Sequence, residues 1–316
     1  TPRSGKSSKA WDTCDMAADK DLAVVVLHYG NIELTRDCLR SVISPEASFI
    51  VVDNSRGEIS EKDLPLEMGS AEIIVTGENL GFAGGMNAGT RKAFDRGARR
   101  VVILNNDTVA EPGFIGKVSA AFARNEGRKI CFSPLILDAS GKKIWFGGGV
   151  VSWITGKARH LGFGSTVFPD EPFESDFLTG CAACFTKEAA EEAGLMEEDY
   201  FLYWEDVDWS SKLRRKGYTL LIRPEMRIRH AGSASTGLES RSYLYYYHRN
   251  HLAFLFRNCP VLLLPLSLAG FALNLARVFA AWTLKHGKEG RLKTLMTLKG
   301  VWHFFLGRRG PMPGGI

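Results

Sequence analysis

Signals of several common protein classes are missing from this sequence. Lysine and arginine form no stripe interleaved with aromatic residues, and the net charge is only +5, so we expect no nucleic-acid binding. No Gly-x-Gly-x-x-Gly follows the first predicted strand, where a dinucleotide-binding fold needs it. The six cysteines are scattered, and Cys181 and Cys184 have no second pair that would complete a zinc site. We expect these two to be small core residues in a reducing compartment.

Long uninterrupted apolar stretches are also missing. Residues 1–20 are polar and contain no apolar signal-peptide core, so we interpret them as a flexible leader. Residues 261–284 are strongly apolar, but Pro265, Asn274 and Arg277 interrupt them, which disfavours a membrane-spanning helix.

The C-terminal segment over residues 259–316 is therefore predicted to form helices that associate peripherally with a membrane or pair two chains in a homodimer. A spanning helix and a simple core helix are the alternatives. Basic residues that follow the apolar stretch favour association with an anionic membrane surface. They are Lys285, Lys288, Arg291, Lys293, Lys299, Arg308 and Arg309.

The remaining residues, 21–258, have the pattern of one α/β domain. Of the whole chain, 45% is hydrophobic and 24% is charged, as in an ordinary globular protein. Short apolar runs separated by helical stretches predict βαβ units in a doubly wound, mostly parallel sheet, and these runs are at 22–27, 49–52, 72–75 and 101–104. Ligands of such sheets bind at the carboxyl ends of the strands.

The pattern changes from about residue 130. Shorter Gly-rich segments there predict antiparallel strands and long loops, and residues 155–176 are interpreted as a mobile lid. A helix is predicted to begin near Glu205 and to end before Gly217, with basic residues in its last turns.

Three carboxylates at the start of this helix are placed among aromatic residues. Glu205, Asp206 and Asp208 lie within the aromatic stretch 201–209. Apolar walls around a carboxylate shift its pKa and indicate a general base.

Asn105, Asn106 and Asp107 directly follow the fourth predicted strand. A turn is the simpler interpretation, because Asn and Asp favour such positions. The functional interpretation is a carboxylate that binds a divalent cation shared with a diphosphate. His230 ends another apparent strand and could complete the ligand shell, with a structural histidine as the alternative; mixed nitrogen and oxygen ligands would accept Mg²⁺ or Mn²⁺.

Two further segments are candidates for nucleotide or sugar binding. Asp53 ends the second predicted strand, where it either accepts from a base or ribose or caps the turn. The Gly-rich stretch 77–89 precedes a helix, and such loops allow the backbone to approach a phosphate or a sugar. The motif of a P-loop is not met here.

Taken in order, these segments resemble family 2 of the inverting nucleotide-sugar glycosyltransferases. The matching segments are VVVLHY at 24–29, VVDN at 51–54, NLGFAGGMN at 79–87, LNND at 104–107, FLTG at 177–180 and WEDVD at 204–208. The nearest subgroup resembles bacterial rhamnosyltransferases and the related galactofuranosyltransferases. In the family, an Asp-x-Asp element carries the metal; here Asn105 replaces its first Asp, so metal binding depends more on Asp107.

The resemblance implies a GT-A fold, with a smaller antiparallel region on the acceptor side and C-terminal helices. It also implies Asp206 as the base assisted by Glu205, and Asp107 with His230 as ligands of Mg²⁺ or Mn²⁺. Donor-binding residues would be Asp53, Asn79, Gly81, Asn87, Asn105, Asn106 and Asp107. Acceptor-binding residues would be Trp204, Asp208 and Trp145, with core packing as the alternative for the two tryptophans and helix capping for Asp208.

The implied activity is transfer of a sugar, first of all rhamnose from dTDP-rhamnose, from a dTDP- or UDP-linked donor to a glycan or lipid-linked acceptor. The protein would act in bacterial cell-surface polysaccharide synthesis, on the cytoplasmic face of the membrane. A sugar-1-phosphate nucleotidyltransferase is one alternative, although the segment 29–33 lacks the basic Gly-rich loop it needs. A catalytically inactive scaffold is the other.

Overall fold

A computed structural model describes residues 20–55, 57–65, 71–231, 240–285 and 287–314. Apart from Lys20, the predicted flexible leader lies outside the described residues.

The four apolar runs form parallel strands, as predicted. In the order β3–β2–β1–β4 they are neighbours in one sheet, and all seven residues of β1 are buried. Their bounds are β1 Leu22–His28, β2 Ala47–Asp53, β3 Glu72–Val75 and β4 Arg100–Asn105. The helices connecting this half are α1 Ile32–Val42, α2 Gly81–Asp95 and α3 Phe114–Arg124.

The Gly-rich stretch is mostly helical, contrary to the predicted loop. Helix α2 begins at Gly81, so Gly84, Gly85 and Gly89 lie in its first turns. A Cβ on Gly89 would overlap the side chains of Val25 and Val52 on the sheet. These glycines therefore allow close contact between helix and sheet, which a loop interpretation did not anticipate.

The second half adds antiparallel pairs, as expected from the change of pattern. Strand β11 is antiparallel to both β4 and β6, whereas β12 is parallel to β6. The strands here are β5 Thr108–Ala110, β6 Ile130–Leu137, β7 Ile144–Phe146, β8 Gly149–Ser152, β9 Lys157–His160, β10 Phe173–Glu174, β11 Ala182–Thr186 and β12 Thr219–His230. Strands β8 and β9 form a separate hairpin, of which β9 lies in the first part of the predicted lid, whose mobility stays a prediction.

The remaining α-helices of the described chain lie between β11 and β12 or after β12, and the sequence predicted the one that begins at Glu205 and those after residue 259. They are α4 Lys187–Ala193, α5 Glu205–Arg215, α6 Arg241–Asn258, α7 Leu264–Lys285 and α8 Gly287–Phe305. Helix α6 is largely buried, and α8 packs on it where Gly300 lies against the backbone of Tyr245. The boundary predicted at residue 258 coincides with the end of α6.

Helix α7 is largely exposed. Within the described part of the chain, its segment Leu264–Trp282 is the one stretch long and apolar enough to cross a membrane, and only 11% of it is buried in the protein. Peripheral association, dimerisation and spanning all remain compatible with this helix.

Candidate active site

A cavity of about 420 Å³ opens at the carboxyl ends of β1, β2 and β4. Ten of the predicted site residues line it: Asn79, Gly81, Asn105, Asn106, Asp107, Trp145, Trp204, Glu205, Asp206 and His230. Three others, Asp53, Asn87 and Asp208, do not.

Asp107 and His230 face each other at the ends of β4 and β12. His230 Nε2 lies 3.2 Å from Asp107 Oδ1, and both side chains are largely buried. The two strand ends meet because β12 pairs with β5, directly after Asp107: His230 is opposite Thr108, and the Ala231 N–H donates to the Asp107 carbonyl at 2.9 Å. Sheet pairing therefore fixes this contact between residues that are far apart in the chain.

The groups around His230 favour a positive charge on its imidazole ring. Burial alone lowers the pKa of His230, but Cys181 and Asp107 more than reverse this and raise the pKa to about 10. Asp107 Oδ1 and His230 Nδ1 are buried and have no hydrogen-bond partner in the described region. The Asp107 carboxylate oxygen and, once it has lost its proton, the His230 imidazole fit a divalent cation, whose charge would replace that of the imidazolium.

The cation site provided by the protein is incomplete. Among the described residues, no group of three or more His, Cys, Asp or Glu side chains could hold a metal ion. Two protein ligands suit a cation that takes its other oxygens from a diphosphate and water, as Mg²⁺ and Mn²⁺ commonly do in nucleotide sites.

Asp206 lies in the first turn of α5 and is fixed by two backbone donors. The Gly180 N–H donates to its Oδ2 at 3.0 Å, and the Val207 N–H donates to its Oδ1 at 2.8 Å. Burial raises the pKa of Asp206, while these two donors and His160 oppose that rise. A raised pKa increases the basicity of the ionised carboxylate, which suits a general base.

Glu205 is more deeply buried than Asp206. Its side chain is 5% exposed, and Oε2 has no partner among the described residues. Burial, and then the charge of Asp206, raise the pKa of Glu205 well above its ordinary value. Of the two adjacent carboxyls, Asp206 is therefore the one that ionises more readily.

The loop before α5 has a strained backbone. Phe201, Tyr203 and Trp204 all have positive φ, at 65°, 69° and 75°, and they are the non-glycine residues with this conformation in the described chain. Such a conformation costs on the order of 1–3 kcal/mol at each residue and persists only where the surroundings impose it. Strained backbone of this kind is concentrated at functional sites.

The asparagines that line the cavity are held by short networks. Asn79 Oδ1 accepts from the Gly81 N–H at 2.8 Å and from Asn54 Nδ2 at 3.3 Å. Asn106 Nδ2 donates to Thr35 Oγ1 at 2.9 Å. These residues line the cavity together with Asn105.

Three predicted site residues have internal structural partners instead. Both carboxylate oxygens of Asp53 accept bonds from Ser55 and Ile59, and the side chain is fully buried. Asn87 Nδ2 donates to the Met196 carbonyl at 2.8 Å. The structure therefore does not bring these two residues into the cavity, because the protein itself satisfies their polar groups.

Asp208 is likewise turned away from the cavity. Its Oδ1 accepts from Asn258 Nδ2 at 2.7 Å and from the Tyr200 hydroxyl at 3.2 Å, so it connects α5 to α6. The alternative role of helix capping is not observed either, because no side-chain cap bond is present at the start of α5.

The two tryptophans differ. Trp145 lines the cavity, with its ring edge-on to His230 at a centroid distance of 4.4 Å. Trp204 is 4% exposed and stacks on His251 at 4.2 Å, so most of its surface is used in packing. Phe146 is a core residue.

Sequence reasoning missed part of the cavity wall. Tyr203, Tyr243 and Tyr247 line it together, with the rings of Tyr243 and Tyr247 stacked 5.2 Å apart. His160 and Arg159 contribute from β9. The tyrosine run at 243–247 was the available signal, because residues i and i+4 share one helix face.

The fold and the cavity define a glycosyltransferase of the GT-A type. The family model described as Glycosyl transferase family 2 matches residues 23–194, more than half of the chain. The protein belongs to this family and is a nucleotide-sugar glycosyltransferase, as the resemblance predicted. The match ends before Asp206 and His230.

Related proteins agree with this assignment. The chain is 24% identical over 294 residues to the dTDP-rhamnosyl transferase RfbF of Shigella flexneri, covering 90% of this chain and 97% of that protein. It is 25% identical over 229 residues to an N-acetylglucosaminyl-diphospho-decaprenol L-rhamnosyltransferase of Mycobacterium tuberculosis, covering 66% and 74%.

Solved structures share the fold. The mannosyltransferase PcManGT of Pyrobaculum calidifontis, in complex with GDP-Man and Mn²⁺, aligns with a TM-score of 0.52 at 15% identity over 95% of this chain and 91% of that one. GalNAc-T7 with UDP, GalNAc and Mn²⁺ aligns with a TM-score of 0.59 at 17% identity over 75% of this chain, which spans about half (48%) of that longer protein.

Proposed function

We propose that this protein transfers a sugar, with inversion of configuration, from a nucleoside-diphosphate donor to a hydroxyl of a glycan or lipid-linked acceptor. The observation that carries this proposal is the arrangement of one cavity. A carboxylate fixed by backbone donors, Asp206, and a pair suited to a cation, Asp107 and His230, line the same space.

Asp206 acts as the general base. It accepts the proton of the acceptor hydroxyl while that oxygen attacks the anomeric carbon of the donor. The N–H groups of Gly180 and Val207 hold both carboxylate oxygens, so the base is oriented before substrate binds. Glu205 stays protonated beneath it and limits the negative charge at this end of the cavity.

Asp107 and His230 would hold Mg²⁺ or Mn²⁺, and the bound cation would neutralise charge on the leaving diphosphate. Asn79, Asn105 and Asn106 line the same side and would contact the donor. The part of the cavity wall formed by Tyr203, Tyr243 and Tyr247 is the proposed acceptor side, because aromatic rings pack well against sugar faces.

We propose dTDP-rhamnose as the first donor to test, because the two relatives above carry rhamnosyltransferase names. Membership of the glycosyltransferase family argues against the nucleotidyltransferase alternative. A role in cell-surface polysaccharide synthesis rests on the same names.

We also propose that the protein acts on the cytoplasmic face of the membrane. Apolar side chains are exposed at the start and end of the C-terminal helices: Val261 is 83% exposed, Leu262 91%, Trp302 61% and Phe305 63%. Exposed basic residues Lys288, Arg291 and Arg308 accompany them. Apolar insertion and attraction to anionic lipids would act together, whereas a second copy of the chain would use the apolar residues alone.

A donor panel tests the activity. Wild-type protein is incubated with dTDP-rhamnose, UDP-sugars and GDP-mannose, each with Mg²⁺, Mn²⁺ or EDTA, and release of nucleoside diphosphate is measured. The donor identified in this way is then supplied with candidate glycan and lipid-linked acceptors, and nuclear magnetic resonance gives the anomeric configuration of the product. Release that depends on a cation and on Asp206, with inversion, is expected. Retention of configuration, or no consumption of any donor, contradicts the proposal.

A further inference from the structure

We infer that Arg249 and Asn250, neighbours on α6, hold the loop over residues 199–204 in the strained conformation that positions Asp206. The inference rests on the proposed function, in which Asp206 is the base. Neither side chain lines the cavity, so we assign both a positioning role.

Asn250 binds the loop through its backbone. Its Nδ2 lies 2.8 Å from the Tyr200 carbonyl oxygen, 2.8 Å from that of Leu202 and 3.0 Å from that of Tyr203. One buried amide thus gathers three carbonyls of a segment in which residues 201, 203 and 204 have positive φ.

Arg249 sets the orientation of that amide. Its Nε donates to Asn250 Oδ1 at 2.8 Å, and because a guanidinium only donates, this bond turns the Nδ2 group towards the loop. Its Nη2 donates to the carbonyls of Tyr200 at 2.8 Å and Asp199 at 3.2 Å. Arg249 and Asn250 are each 1% exposed, so water does not compete for these bonds.

The opposite side of the loop is held by the donor-binding half of the domain. The Phe82 N–H donates to the Phe201 carbonyl at 2.6 Å, and the Gly180 N–H donates to Asp206 itself. The loop ends at Trp204, and α5 begins at the next residue with Asp206 in its first turn. A shift of the loop would therefore move the base relative to a donor bound at Asp107.

The end of the chain takes part in the same arrangement. Arg249 Nη1 donates to the Gly310 carbonyl at 2.6 Å, and the Gly310 N–H donates to the Asp199 carbonyl at 2.9 Å. Helix α6 and the segment after α8 therefore support the loop that precedes the base, although the C-terminal region could be taken for an appendage from its sequence.

The test compares Asn250→Ala, Asn250→Asp and Arg249→Lys with Leu252→Ala. Asn250→Asp keeps the side-chain shape but replaces a donor with an acceptor, and Arg249→Lys keeps the charge but loses the fork. Leu252 is a buried apolar residue on the same helix, so its variant reports destabilisation alone. Four quantities are measured for each protein: Tm, affinity for dTDP and UDP with Mn²⁺, donor kcat and KM, and amide hydrogen exchange.

We expect kcat to fall by about 10–100-fold in the Asn250 and Arg249 variants, because a misplaced base loses its alignment with the acceptor hydroxyl. Nucleotide affinity and KM should stay within about twofold of wild type. Faster exchange should be confined to residues 199–206. Leu252→Ala should lower Tm and keep kcat.

The inference is overturned if kcat and nucleotide affinity fall together, or if kcat falls no further than in Leu252→Ala. If Asn250→Ala does not fold, Asn250→Asp and Arg249→Lys decide the matter by the same readouts. If wild-type protein consumes no donor, the proposed function fails, and hydrogen exchange alone decides the inference. Unchanged exchange over 199–206 in all three variants would then refute it.

Discussion

The α-carbon of Gly81 lies directly against the peptide group of Phe201. A Cβ built on Gly81 would be 2.7 Å from Phe201 Cδ2 and closer still to the Phe201 carbonyl oxygen. The next residue, Phe82, donates its N–H to that same oxygen. Gly81 thus joins the donor-binding end of α2 to the strained loop that precedes the base.

Gly81→Ala should reduce both stability and activity. The added methyl group must displace the Phe201 backbone, and overpacking of this kind costs about 1–3 kcal/mol. Gly77→Ala is the matched control, since Gly77 also has a positive φ, 75°, but an added Cβ meets nothing within 4 Å. Chemical denaturation and kcat are measured for both. Equal effects in the two variants would show that backbone conformation, not contact with Phe201, explains Gly81.

Asp206→Asn should lower kcat by about 10²–10⁴-fold, because a general base is lost. Affinity for nucleoside diphosphate should change little, since the cation pair is intact. Glu205→Gln is the comparison: Glu205 already carries its proton, so this variant should keep most of the activity. Steady-state kinetics and calorimetry provide the data. An Asp206→Asn enzyme with more than half of the wild-type rate would remove Asp206 from the mechanism.

As pH falls, activity should begin to decrease at a higher pH than it would if the base were an aspartate with an ordinary pKa. The base must be ionised, and burial raises the pKa of Asp206, so protonation begins above the usual range.

For stability the sign is opposite: a carboxyl with a raised folded pKa stabilises the protein in acid, and this contribution is lost as pH rises through that pKa. Glu205→Gln should therefore increase the free energy of unfolding at neutral pH. A decrease there would contradict a raised pKa of Glu205 in the folded protein.

Asp107→Ala and His230→Ala should each weaken nucleoside-diphosphate binding in the presence of Mn²⁺ or Mg²⁺. The two facing side chains are the proposed cation ligands, so the loss should disappear in EDTA. Asp53→Asn serves as the control, because Asp53 is a carboxylate at the end of another strand of the sheet and lies outside the cavity. This variant should keep the increase in affinity that metal produces in the wild-type protein. Titration calorimetry with and without cation measures this. A loss of equal size in EDTA would exclude the shared cation site.

Full-length protein should float with anionic liposomes at low salt and less at high salt. Replacing Leu262 and Trp302 with Asp should reduce flotation, because both are exposed at the C-terminal helices. Lys117→Ala, an exposed basic residue on α3, controls for charge alone. Protein that stays at the bottom of the gradient but forms a dimer lost in the Leu262→Asp variant would support the pairing of two chains instead.

Local sequence pattern was sufficient for the framework of this protein. Short Val-rich runs such as Val24, Val25 and Val26 favour buried strands, and their spacing with intervening helices predicts a parallel sheet with polar residues at its carboxyl edge. Strand-end position singled out Asp107 and His230, aromatic surroundings singled out Asp206, and the family resemblance supplied their roles; the fold brings all three to one cavity. Hydrophobic periodicity and the order of segments can be observed in the sequence directly, without knowledge of the tertiary structure.

Tertiary structure alone decided which polar residues face the cavity. Asp53, Asn87 and Asp208 resemble site residues by type and position, yet each is used inside the protein, by Ser55, Met196 and Asn258 respectively. Conversely, Asn250 lies in a helix with no motif and holds three carbonyls of the loop before the base. A polar side chain serves the ligand only if no internal partner satisfies it first, and those partners are distant in sequence, so only the folded chain determines the outcome.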